Sequence, residues 1–410
     1  VVRADPGRPA VDGTATLVLG ATTEEPLPSF TLDLSGPEVE EATVDGEAAE
    51  VARLDDGQVE VTPKAALDPA AEVEVVLTYG GVPDVGRFPG LGVPVGWQPD
   101  DVGGWFAMSE PDGTATWVPV NDHPSDKATW TITLDTPADA VGVANGRLLE
   151  RDAGDDGRRR WVWETDEPMA SYLVFVAVGD YELEERSGPG GTRVLFAFPS
   201  DLPADDRRAF DELDAILTFF TETFGPYPDD DAGAVVVPSD LGLALETQTR
   251  PLFGLDATGE DEVWALAHEL AHQWFGNAVT PEGWDDLWLN EGFATYADWL
   301  YIDHVGDATI DEMATDASDR GVDLAVLDPK AAGTFDNAVY EGGALVLHAL
   351  RRTIGDDDFF ELLRRWYGDH RGSNATTEDL VALAEEVSGD ELDAFFQAWL
   401  RSPDQPELPG

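Results

Sequence analysis

Two histidines four residues apart, His268 and His272, enclose Glu269, and Glu291 follows with eighteen residues between it and His272. On an α-helix, residues four apart lie one turn above each other on the same face, so both imidazoles can reach a single metal ion. Glu269 then falls beside any water that the ion holds. The spacing therefore fixes one helix and, through Glu291, the approach of a second element to it. With 6 His in 410 residues, a His-Glu-x-x-His run arises by chance on the order of 0.01 times. Acidic residues are abundant in this chain, so the histidine pair carries most of that information.

The chain has no cysteine, which removes disulfides and thiolate ligands and leaves imidazole and carboxylate to bind any metal. A catalytic zinc uses three protein ligands and one open position for water, and two His with one Glu is a standard set. His268, His272 and Glu291 supply that set, for one Zn2+ per chain. Bound zinc lowers the pKa of its water towards ~7, so a neighbouring carboxylate can take the proton, and Glu269 is placed for that role. Trp264 and Leu266 on the same stretch can pack inward and fix the orientation of the helix.

A length of 410 residues predicts two or three domains, and the 42% hydrophobic content with 13 Trp is that of a folded protein. The charge is extreme: 83 acidic against 24 basic residues, a formal net charge of -59, with lysine only at Lys64, Lys127 and Lys330. Such a surface repels phosphate backbones and anionic lipid, which excludes nucleic acid and membrane surfaces as partners. It also predicts adaptation to high salt, because molar salt shortens the screening length to ~3 Å and relieves self-repulsion. No apolar run approaches the ~18 residues of a membrane span; the longest, Tyr172 to Val178, reads as a strand. The expectation is a soluble protein, cytoplasmic or secreted, with the absence of an initiator Met before Val1 favouring secretion. Nothing in the residues specifies an oligomeric state.

From Val1 to about Phe198, short β-rich runs alternate with turn residues: Thr14 to Leu19, Val59 to Val61, Val73 to Leu77, Thr129 to Leu134 and Arg160 to Trp163. Arg151 to Gly157 and Ser187 to Gly191 read as hairpin or surface loops. After Pro203 the period changes, with Phe210, Leu213, Ile216, Leu217 and Phe220 forming a helical stripe closed by Gly225 and Pro226. A short strand is expected at Ala234 to Val237. Helices are expected over Asp261 to Phe275, Asn290 to His304, Gly342 to Arg352 and Asp379 to Leu400. The predicted fold is α+β, an N-terminal antiparallel β domain over 1–198 followed by a mainly helical zinc domain over 199–410.

The letters around the ligands carry a resemblance. His268-Glu269-Leu270-Ala271-His272-Gln273-Trp274-Phe275-Gly276-Asn277, followed by Trp284-Asp285-Asp286-Leu287-Trp288-Leu289-Asn290-Glu291-Gly292-Phe293-Ala294, resembles the aminopeptidase N family of gluzincin metallopeptidases. The resemblance implies a thermolysin-like catalytic domain, a zinc-activated water and removal of N-terminal residues from peptides. That family carries a Gly-Ala-Met-Glu-Asn strand whose Glu holds the α-ammonium of the substrate; the matching stretch here is Leu243-Ala244-Leu245-Glu246-Thr247, with Glu246 in place and three neighbours replaced. Aligning on Pro119 to Lys127 puts Glu110 at the position of a second amine-binding residue. Tyr340-Glu341-Gly342-Gly343-Ala344 matches the motif whose Tyr donates to the oxyanion, which assigns Tyr340 to that task.

The resemblance thus implies a peptide with a free N-terminus as partner, because two carboxylates held one residue's length from the metal leave no room for further chain. Large family members cover the site with a C-terminal helical domain, and this chain stops near Leu400, which predicts an open site and weak selection on peptide length. Two other readings share the zinc ligands: a thermolysin-like endopeptidase, which needs no amine anchor, and a catalytically silent zinc-binding scaffold. His123, His304, His348 and His370 are expected to be structural or exposed, with His348 packed among the apolar residues of its helix.

Overall fold

In the strand Glu72–Gly81, buried Val73, Val75, Leu77 and Tyr79 alternate with outward residues, the period of two that presents one face to a core. This strand pairs antiparallel with Val11–Gly20 on one side, Leu17 opposite Val75, and with Glu38–Val44 on the other, Ala42 opposite Leu77. Thr131–Pro137, Arg158–Glu164 and Arg147–Ala153 extend these strands into an eight-stranded sheet. Its pairings are antiparallel apart from Val2–Arg3, which runs parallel to Thr131–Pro137. A second sheet contains Val141–Ala144, Val176–Gly179, Trp105–Met108 and Pro94–Pro99. Trp97, Trp161, Trp163 and Phe106 belong to the apolar cluster that both sheets share. The computed structural model describes residues 1–410 apart from 88–93, 155–156, 260–261, 322–325, 327–334, 403–405 and 410. Lys330, Asp261 and the Asp155-Asp156 portion of the expected loop therefore lie outside the described residues.

The run from Tyr172 to Val178 is not one strand. Ser171–Leu173 forms a 3-10 turn, and only Val176–Gly179 is extended within a sheet. The reason is a side chain standing in for a neighbouring strand: Asn145 Oδ1 accepts from the Phe175 amide at 2.9 Å and its Nδ2 donates to the Leu173 carbonyl at 2.9 Å. Buried backbone groups need such partners wherever the ladder ends.

A third sheet joins the two halves of the chain. Tyr181–Ser187 pairs with Arg193–Pro199, which lies parallel to Asp231–Val236, followed by Leu252–Phe253 and the edge strand Ala244–Leu245. Helix α1, Leu213–Phe224, buries Leu213, Ile216, Leu217, Phe220 and Phe224, the expected stripe, and ends at Gly225. Then come α2, Val263–Ala271; α3, Trp288–Val305; α4, Ile310–Arg320; α5, Gly343–Ile354; and α6, Asp356–His370. The tail expected to be helical from Asp379 to Leu400 is so in two pieces, α7 over Thr377–Ser388 and α8 over Asp393–Leu400. Gly389 at φ 73° closes α7 in the left-handed conformation that ends helices.

Helices α3 and α5 approach until backbone meets backbone. A Cβ on Gly292 would lie 2.7 Å from the Gly343 Cα, so only glycine permits this crossing. The contact sets Glu291, one residue before Gly292, and Tyr340, three residues before Gly343, against α2.

Candidate metal centre and active site

Helix α2 carries His268, and His272 caps its C-terminal end. Their Nε2 atoms stand 3.1 Å apart, and Glu291 Oε2, from the first turn of α3, is 3.3 Å from the first and 3.4 Å from the second. Three donors at zinc bond lengths of about 2.0–2.1 Å in a tetrahedral arrangement are separated by about 3.3 Å. The triangle thus fits one zinc ion, and its donor set of two imidazoles and a carboxylate suits that metal. His268, His272 and Glu291 form one of the three groups of metal-capable side chains among the described residues. None of those groups includes His123, His304, His348 or His370. His348 is buried on α5, as expected, with Asp311 3.3 Å from its Nε2.

Both rings are held from behind. His268 Nδ1–H donates to Asp298 Oδ2 at 3.1 Å, and His272 Nδ1–H donates to Asn290 Oδ1 at 2.6 Å and to the Phe275 carbonyl at 3.1 Å. A proton fixed on Nδ1 leaves the Nε2 lone pair for the metal. Asp298 and Asn290 were not identified from the sequence. Asp298 lies seven residues after Glu291 on α3, two turns along the same face, and that interval was a legible signal.

Burial lowers the basicity of both imidazoles, yet the surrounding acids more than reverse it. Hydrogen bonds to Asp298 and Glu291 hold His268 well above the usual imidazole range, and Glu291 and Glu246 bring His272 to about 9. Glu291 sits low although burial pushes it up, because both imidazoles pull it down. Surroundings that draw a proton onto the ligands draw a dication to the same point.

Beyond the triad the structure gathers more carboxylates than one metal needs. Glu110, Glu246 and Glu291 form a second group, and Glu246, Glu269 and His272 a third, with ligand atoms within 4.8 Å of one another in each. Glu110 is 4% exposed, its Oε1 has no hydrogen-bond partner, and Glu269 Oε2 has none either. Burial and then the charges of Glu246, Glu291 and Glu269 raise the Glu110 carboxyl well above the carboxylate range. Burial likewise lifts Glu269 to about 8, against the pull of His268 and His272. The Tyr340 ring stacks on His268 at 6.1 Å with 21° between planes. All seven residues singled out in the sequence therefore meet in one place.

Glu246 follows the edge strand Ala244–Leu245, and its backbone carbonyl accepts from Asn277 Nδ2 at 2.7 Å and Gln273 Nε2 at 3.2 Å. Gln273 Oε1 in turn accepts from the Thr249 amide at 2.8 Å, and Thr249 adopts a φ of 70°. That strained conformation is sustained by the β half, where the Gly146 amide donates to Thr249 Oγ1 at 2.9 Å and Arg250 donates to the Ala144 carbonyl at 2.9 Å. Lys127, also from the β half, donates to the carbonyls of Asn277 at 2.9 Å, Ala278 at 3.2 Å and Ser373 at 3.3 Å. Sequence reasoning missed Gln273, Thr249 and Arg250, whose roles depend on contacts between distant segments.

These elements define a metal site of two histidines and one glutamate beneath a β-sheet half. Residues 254–399 match the Peptidase family M1 domain and residues 105–173 the Peptidase M1 N-terminal domain. Aminopeptidase M1-A of Oryza sativa subsp. japonica is 32% identical over 324 residues, 72% of this chain and 37% of its own length. Aminopeptidase N of Lactococcus lactis subsp. lactis is 28% identical over 320 residues, 70% of this chain and 37% of its own length. The match thus spans little more than a third of these curated relatives. A crystal structure of an M1 zinc metallopeptidase mutant from Deinococcus radiodurans, bound to the substrate Tyr-Ser-Ala, superposes with a TM-score of 0.92 at 32% identity. It covers 100% of this chain and 94% of that one. The chain belongs to the aminopeptidase N family of M1 zinc metallopeptidases.

Among the described residues no helix is long and apolar enough to cross a membrane.

Proposed function

We propose that this chain is a zinc-dependent aminopeptidase that removes single residues from the free N-terminus of peptides. The observation that carries the reading is the surplus of buried carboxylate beside the metal triad. Glu110 and Glu246 share a cluster with Glu291, and a substrate ammonium is the cation that suits them. Charge-assisted hydrogen bonds of this kind fix register as well as affinity. The Deinococcus relative, captured with the tripeptide Tyr-Ser-Ala, supports a peptide as the substrate class.

A zinc ion held by His268, His272 and Glu291 would polarise the scissile carbonyl and acidify a water. Glu269 accepts the proton of the attacking water and delivers it to the departing amine. The Tyr340 hydroxyl donates to the oxygen that gains charge, a contribution of about 3 kcal/mol for one well-aimed donor. Glu246 and Glu110 hold the α-ammonium so that the first peptide bond, and no later one, meets these groups.

Glu269→Gln tests the assignment of the base. The variant keeps one zinc per chain while kcat falls by about 10²–10⁴-fold; unchanged turnover removes Glu269 from the mechanism. Cleavage of an N-acetylated peptide as fast as its free counterpart would replace this reading with an endopeptidase. We further infer that the charge of -59 suits the protein to concentrated salt. Its melting temperature is expected to climb by several degrees between dilute buffer and molar KCl, since screening relieves repulsion, and a flat response overturns the inference.

A further inference from the structure

Asn290 is fully buried on the first turn of α3 and touches both halves of the site. Its Oδ1 accepts from His272 Nδ1–H at 2.6 Å, and its Nδ2 donates to Glu246 Oε1 at 2.9 Å. The amide orientation is determined by these partners together. With Nε2 of His272 turned to the metal, Nδ1 carries the proton and requires an acceptor, while the carboxylate of Glu246 requires a donor. A flipped amide would set donor against donor and acceptor against acceptor. The backbone is shaped around this group as well: Gly276 sits at φ 116°, and a Cβ there would lie 1.9 Å from Asn290 Oδ1.

We infer that Asn290 is a positioning residue whose single amide couples zinc binding at His272 to recognition of the substrate ammonium at Glu246. The inference deepens the aminopeptidase reading and rests on it for the role of Glu246. The coupling has a physical basis. An ammonium that orders Glu246 also orders the Asn290 amide, which tightens its hold on the ring that faces the metal. By linkage, zinc must strengthen amine binding by the same factor.

The chemistry of Asn290→Asp separates the two contacts. An Asp at this position still offers an oxygen to His272 Nδ1–H, but turns a second oxygen towards Glu246 where a donor stood. The holoenzyme variant is expected to release zinc to a chelating dye within about two-fold of the wild-type rate. Its KM for a leucyl fluorogenic substrate should rise at least about ten-fold, with kcat nearly unchanged. Asn290→Ala should both release zinc about ten-fold faster and raise KM. In the unmodified protein, free L-leucine, which offers an ammonium and no scissile bond, should slow zinc release, and this effect should vanish in Asn290→Asp.

Absence of any slowing by L-leucine in the wild-type protein overturns the coupling without recourse to a variant. A wild-type KM in Asn290→Asp overturns it equally, as does wild-type zinc release in Asn290→Ala. Failure of the aminopeptidase reading looks different, since the unmodified protein would then show no preference for a free amine over an acetylated one.

Discussion

The metal side and the proposed anchor side of this site are built differently. On the metal side every ligand has a counterpart: Asp298 behind His268, Asn290 and Phe275 behind His272, and both imidazoles beside Glu291. On the other side Glu246 Oε1 accepts from Asn290, but Glu110 Oε1 is buried without a hydrogen-bond partner. A buried polar group without a partner is costly, and folds keep such groups where a ligand completes them. On the proposed reading the metal side is assembled in advance and the other is finished by the substrate ammonium. The contrast also separates their origins, because α2 and α3 supply the metal side while the anchor side needs Glu110 from the β half.

The comparison can be broken most severely at the metal. His272→Ala is expected to reduce zinc content to near zero and to abolish hydrolysis, as measured by elemental analysis and an aminoacyl substrate. Retained stoichiometric zinc would show that the triad is not the binding site. Glu246→Gln addresses the other side. It should keep its zinc, raise KM about 10–100-fold through loss of a charge-assisted contact, and narrow the preference for free over acetylated amino termini. A loss of zinc to match that of His272→Ala would erase the distinction between the sides.

The smallest expected effect concerns the loop beyond Glu110. Asp122 accepts from the Ala115 amide at 2.9 Å. Burial lifts its carboxyl to about 7, against the hydrogen bond from Ala115. The folded value therefore lies above the unfolded one, and the folded state holds the proton more tightly. The stability this contributes is complete below about pH 4 and is lost as pH rises through about 7. Asp122→Asn removes that titration and should shrink the difference between denaturation midpoints at pH 5 and pH 8. An unaltered difference would place the pH dependence elsewhere.

The metal side was legible in the sequence because its signals are local: four residues set the histidine pair, and the eighteen-residue spacing with the Trp284 to Ala294 stretch set Glu291. That Glu246 and Glu110 meet near the metal was suggested only by family resemblance, since no periodicity relates a loop in the β half to a strand edge that follows α1. Asn290 stood inside the recognised motif, yet its task depends on where Glu246 lies in space. Local pattern also misled where a tertiary contact decided the outcome. The apolar run at Tyr172 has strand composition, but Asn145 takes up its backbone groups. The tail reads as helical, and Gly389 offers the left-handed conformation that divides it into two helices.

The parallel pairing of Arg193–Pro199 with Asp231–Val236 bears on how this protein could be engineered. A fragment cut at Pro199 to isolate the zinc-bearing half would strip the Asp231 strand of its neighbour and expose a raw β edge. It would also forfeit the Lys127 clasp and Glu110, one of the two carboxylates proposed to anchor the substrate. Module swapping in this architecture has to carry the seam along with the pieces it joins.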